Sequence, residues 1–199
     1  MATEMISNVY IENETGNDII GITVEHIYGD REPETIGGSL FNGNILLDSK
    51  EVIIGCANYE VGAFTGLDWW RITWTDSNGN IYSSDQELLS KIGAYCGQYF
   101  MDIISLTSSS IALWATVTDQ KKWIANMVNL ITVFFNFATR SLTGGLSKGQ
   151  HFKEFMLRKS DNSIRFILKS NNEIDIVASS GESTVKYYQK QIKQPVMLP

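Results

Sequence analysis

Between Ile103 and Thr139 the chain carries only three ionisable side chains, Asp119, Lys121 and Lys122, and all three fall in the short run 118–122. A stretch this poor in charge does not make ordinary water-facing structure, because exposed helices and loops normally carry Lys and Glu. The clustered charges therefore read as a turn between two apolar helices, residues 99–117 and 123–140. Each is near the roughly 17 to 20 residues that cross bilayer hydrocarbon. At about 100° per residue, Asp102, Ser105, Ser109 and Thr116 share one narrow stripe of the first helix. Asn126, Asn129, Asn136 and Arg140 do the same on the second.

Two destinations for this hairpin stay open. It is either a membrane-active element stored against the folded protein, or a permanent part of the core or of an oligomer contact. In the first case the Asn and Ser stripes meet between helices, where such side chains hydrogen-bond at about 0.6 to 2 kcal/mol each. Asp102 and Arg140, near the outer ends, then reach the interface. In either case the expected contact residues are Phe100, Ile104, Leu113, Trp114, Trp123, Leu130, Phe134 and Phe135.

On both sides of this stretch the sequence reads as β-structure. Apolar and polar residues roughly alternate over 6–11, the run 13–18 supplies turn chemistry, and the β-branched run 19–28 follows, a pattern that predicts a β-hairpin. Further strands are expected at 45–54, around 69–74, at 81–82, 152–159, 163–169, 173–178 and 184–189. Asn78-Gly79, Asp161-Asn162 and Asn171-Asn172 are turn signals between them. On a strand, Trp70, Ile72 and Trp74 share one face, and Trp69, Arg71 and Thr73 the other, expected to point outward. Ser84 followed three residues later by Glu87 is a capping-box pattern for a helix start. The tail after Gln189 reads as a loosely held extension.

These signals predict an antiparallel β-sandwich of about 8–10 strands, interrupted by a helix and an apolar helical hairpin. Residues 1–83 form its N-terminal part, 84–149 the helical insertion, and 150–199 the C-terminal part of the same sandwich with the tail.

Composition narrows the function. With 16 Lys and Arg against 22 Asp and Glu, a net charge of −6, and no basic run, the chain lacks the phosphate-neutralising face that nucleic-acid binding requires. Cys56 and Cys96 form no disulfide framework, though one bond between them stays open, and neither sits in a reactive-thiol or zinc motif. Both are expected to be buried small residues. His26 and His151 show no metal-ligand spacing, no GxSxG elbow is present, and Gly37-Gly38 lacks the context of a phosphate loop. No catalytic constellation, metal site or cofactor is expected. The N-terminal residues carry no basic run before an apolar stretch, so release from a cell would use a route without a signal peptide. Asp68 beside Trp69 and Trp70 is the one acidic group in an aromatic setting, and with Arg71 it defines a candidate target-binding patch for a sugar or a choline head group.

The strings Val9-Tyr-Ile-Glu-Asn13, Ile22-Thr-Val-Glu-His-Ile-Tyr28, Gly66-Leu-Asp-Trp-Trp-Arg-Ile-Thr-Trp74, Phe155-Met-Leu157 and Ser179-Ser-Gly-Glu-Ser-Thr184 together resemble the URD domain family, named for up-regulation in daf-two mutants. The resemblance covers about residues 6–92 and 150–189, and Gly-x-Asp-Trp-Trp is its most specific element. It implies a small, all-β, non-enzymatic domain; the long apolar stretch from 93 to 149 departs from the family pattern. The function expected from all of this is target binding by the sandwich. The hairpin engages membrane, in its sharpest form as a toxin-like pore former, with membrane lipid or a surface glycan as partner and self-association into a homo-oligomer. The alternative is a soluble binding or self-assembling module whose hairpin never leaves the fold.

Overall fold

The computed structural model describes residues 2–31, 33–37, 45–62, 66–92, 94 and 151–191. Within them the chain is mainly β, with two sheets and one short helix. The strands are β1 Thr3–Glu14, β2 Ile19–Tyr28, β3 Glu34–Ile36, β4 Lys50–Val61, β5 Asp68–Asp76 and β6 Asn80–Ser83. After the helix, α1 (86–92), come β7 Lys153–Glu154, β8 Ser163–Lys169, β9 Glu173–Ala178, β10 Gly181–Lys186 and β11 Tyr188–Gln191. The first sheet has the order β10-β9-β8-β1-β4 and the second β11-β6-β5-β2-β3, with β7 also paired to β5.

The period-two pattern places one face of each sheet in a common core. Val9, Ile11, Tyr59, Ile164, Phe166 and Ile176 come from the first sheet, and Ile22, Val24, Trp70, Ile72 and Trp74 from the second. Trp70 packs tilted on Phe166 across the two sheets, with ring centroids 5.4 Å apart.

The expected first hairpin does not form. β1 pairs with β4 antiparallel and with β8 in parallel, whereas β2 pairs with β5 and β3. The connection at 15–18 is thus an arch from one sheet to the other. Asn13, fully buried, builds it: its carbonyl oxygen accepts from Thr15 N and Oγ1, and its amide donates to Asn17 O and Leu46 O. Turn-forming residues bend a chain equally well within a sheet or between sheets, so the turn signal was sound and the partner was not specified. The β1–β8 pair also makes the first sheet mixed rather than wholly antiparallel.

Other boundaries moved for similar local reasons. The strand expected at 45–54 is β4, which starts later and runs further, to Val61, with a register shift opposite Val9/Tyr10 next to Gly55 (φ +154°). The expected last strand is split at Tyr187: β10 stays on β9 while β11 crosses to β6. Of the expected strand 152–159 only Lys153–Glu154 is strand. The short β3, for which no strand was expected, pairs with β2 at Val24–His26. Asn78-Gly79 makes its turn as expected, with Gly79 at φ +81° and the Asp76 carboxylate accepting from Asn78 N and Asn80 N.

The helix starts as expected, but Asp85 rather than Ser84 is its cap. Asp85 Oδ1 accepts from Glu87 N and Leu88 N at 2.9 and 3.1 Å. Ser84 Oγ instead accepts from Ile72 N, prolonging the β5–β6 ladder by one bond. The hairpin contacts Phe100, Ile104, Leu113, Trp114, Trp123, Leu130, Phe134 and Phe135, Cys96, and the tail after Gln191 lie outside the described residues.

Candidate functional site

β5 is the organising strand. On one side it pairs along its length with β2. On the other, β6 pairs with Thr73–Thr75 and β7 with Trp69–Trp70, so two short strands lie end to end along the same edge. The chain leaves the sheet after β6 and returns to it at β7, which puts both ends of the 85–151 excursion at one place.

A buried charge network fastens those ends. The β2–β5 register sets Glu25 directly opposite Arg71. The Arg71 guanidinium grips that carboxylate in a fork, Nε to Oε2 at 2.6 Å and Nη2 to Oε1 at 2.9 Å. Its Nη1 donates to Asp85 Oδ2 at 3.1 Å, and the same oxygen meets His151 Nδ1 at 3.1 Å. Arg71 also lies 4.3 Å over the Phe152 ring. Glu25, Arg71, Asp85 and His151 are all buried. Burial pulls the Arg71 pKa down, but the charges and hydrogen bonds of Glu25 and Asp85 outweigh it and hold the group above its usual range. Residues from β2, β5, the α1 cap and the start of the C-terminal β region thus form one electrostatic unit.

A second cluster sits one step along the same pair of strands. His26 Nε2 meets Asp68 Oδ1 at 2.7 Å, its Nδ1 lies 3.7 Å from Glu34, and its ring stacks on Trp70 at 4.1 Å. Burial lowers the His26 pKa, yet Asp68 and Glu34 together raise it above the ordinary 6.5. The other Asp68 oxygen accepts from Leu157 N, and Trp70 Nε1 donates to Phe155 O. Asp68 therefore ties the returning chain to β5.

The Gly66-Leu-Asp-Trp-Trp element now has a physical reading. A Cβ at Gly66 would come within 2.4 Å of Gly29 Cα, so only glycine allows the two loops to touch. Gly66 N donates to Tyr28 Oη at 2.9 Å. Asp68 is the acceptor just described, Trp69 is half-buried, and Trp70 fills the core.

Of the expected binding patch, Asp68 and Arg71 are 1% and 2% exposed, so Arg71 does not face outward as its strand position suggested. The outer face of β5 is itself covered, as the burial of Thr73, Thr75 and Ile81 shows. A strand buried on both faces defeats the simple inward-outward rule. Trp69 alone keeps partial access. Cys56, expected to be buried, is an exposed free thiol on β4 that donates to Asn8 Oδ1 at 3.3 Å. Glu25, Asp85 and His151 were missed. The available signal was a pair of opposite charges, Glu25 and Arg71, each in the middle of an otherwise apolar strand.

Both His26 nitrogens face carboxylates and the ring is 1% exposed, so neither nitrogen is offered to a substrate. Among the described residues no group of three or more His, Cys, Asp or Glu could hold a metal ion. No described helix is long and apolar enough to cross a membrane. The fold and its buried charges define a mainly β, two-sheet protein that diverts its chain from one edge of β5 and takes it back there. The chain belongs to the family described as Up-Regulated in long-lived daf-2, which it matches over residues 3–187. No match to it is found among the curated proteins.

Proposed function

We propose that this chain is a non-enzymatic binding module. Its two sheets act as a rigid β-sandwich, and its apolar segment, 99–140, is a helical hairpin that engages membrane. The observation that carries this reading is the collinear placement of β6 and β7 on β5, with Asp85 and His151 joined in the Arg71 network. A segment whose two ends are fastened side by side to a folded body can change its surroundings without unravelling that body. Its sequence, almost without charge from 103 to 139, suits lipid.

A second reading keeps the same segment permanently folded, as core or as a homo-oligomer interface. The broad apolar faces of the two expected helices favour it, since a globular fold buries such faces.

One experiment separates the two. The full chain and a variant with residues 95–148 replaced by a short Gly/Ser link are floated with liposomes of neutral and of anionic lipid, with light scattering on both samples. Flotation and dye release by the full chain, lost in the shortened one, support the membrane reading. A full chain that never floats and scatters as a defined oligomer, while the shortened chain is a monomer, overturns it in favour of the second.

A further inference from the structure

Between α1 and β11 the surface opens into a groove of about 360 Å³, lined among others by Gln86, Asn172, Tyr187, Tyr188, Gln189 and Lys190. Its volume lies at the lower end of the range for small-ligand sites. Its floor is rigid. Tyr187, 6% exposed, packs edge-on to Trp74 with ring centroids 4.7 Å apart. Its hydroxyl donates to Lys169 O at 2.6 Å, and its backbone N–H to Asn172 O at 3.0 Å.

Its rim is open: Gln86, Asn172, Tyr188 and Gln189 are exposed, and among the described residues their side-chain polar groups and the Lys190 ammonium have no hydrogen-bond partner within the protein. Each amide offers one acceptor and two donors in a fixed plane. Tyr188, 41% exposed, adds an accessible ring face. One cation among several neutral groups does not demand a charged ligand. Planar amides beside an open aromatic ring suit a molecule that both donates and accepts through many hydroxyls while presenting a C–H face to the ring.

We propose that this groove is a saccharide site, taking one or two neutral sugar units. The proposal rests on the chain being a binding module, whose target class it names, and is independent of the membrane role of 99–140. It also moves sugar recognition from the buried Asp68 to the far end of the second sheet.

The test uses saturation-transfer NMR and calorimetry on the full chain, without lipid, with chitobiose, cellobiose, maltose and lactose at millimolar concentration. Transfer to at least one of them is expected. Tyr188→Ala and Gln189→Ala should each weaken binding roughly tenfold. Their urea midpoints should not move, because both side chains are exposed. Absence of transfer from all four sugars overturns the proposal, as does binding that neither substitution weakens. Liposome flotation of the same sample reads the membrane role separately, so either reading can fail alone.

Discussion

Arg71→Met tests whether the buried network holds the fold together. The substitution keeps an unbranched apolar stem and removes the guanidinium, both the one cation that Glu25 and Asp85 share and the group that lies over Phe152. Glu25, 1% exposed, is then left without a counter-charge, and Asp85, 4% exposed, keeps only His151 and its helix-cap bonds. Removing one partner of a buried pair typically costs about 3 to 5 kcal/mol. For a chain of this size that is about 6 to 20 °C in Tm, at about 2 to 4 °C per kcal/mol. Urea unfolding followed by tryptophan fluorescence measures it, since Trp70 and Trp74 are both buried. An orphaned buried carboxylate takes up a proton, so the deficit should narrow as pH falls. A double variant, Arg71→Met with Glu25→Leu, should recover most of the loss. Asp85 keeps its helix-cap bonds and His151 in that background. A loss below about 1 kcal/mol for Arg71→Met, or a double variant no better than the single one, would refute the reasoning.

The His26 cluster makes stability depend on pH. His26 has a raised folded pKa, so its contribution is complete below 6.5 and is lost as pH rises through the folded value. Glu34, lowered chiefly by its contact with His26, contributes above 4.5 and loses that contribution as pH falls through its own folded value. Urea midpoints across this range should fall on the alkaline side in the wild type and flatten there in His26→Gln; parallel profiles would count against the assignment. Gly66→Ala forces a methyl group toward Gly29 Cα and should cost about 1 to 3 kcal/mol; an unchanged melting temperature would show that the two loops separate freely. In a Cys96→Ser background, the exposed Cys56 thiol should react with Ellman's reagent in the native protein as fast as in urea. Protection until unfolding would contradict its exposure.

Much of the β-structure was legible because local chemistry decides it. β8 and β9 and the turns around Gly79 and Asn171-Asn172 lie where alternation and turn residues put them. The core face of β5 followed from period two alone. The helix start was found within one residue, and the shift from Ser84 to Asp85 reflects competition: the Ser84 hydroxyl was drawn into the β5–β6 ladder. Arg71 was expected to face outward because it alternates with Trp70 and Ile72, and alternation does not say whether a second layer covers that face.

Alone, then, the sequence determined that this chain alternates short strands and turns around a core rich in tryptophan and isoleucine. Tertiary structure decided which strands are partners: that β1 and β2 part to different sheets and that β1 runs parallel to β8. It decided too that Arg71 is buried, since Glu25, 46 residues earlier, and Asp85 are brought to it only by the folded sheet. The physical reason is that backbone hydrogen bonding and side-chain alternation are local and nearly independent of the partner. The choice of partner, and the burial of a charge, depend on what the rest of the chain places opposite.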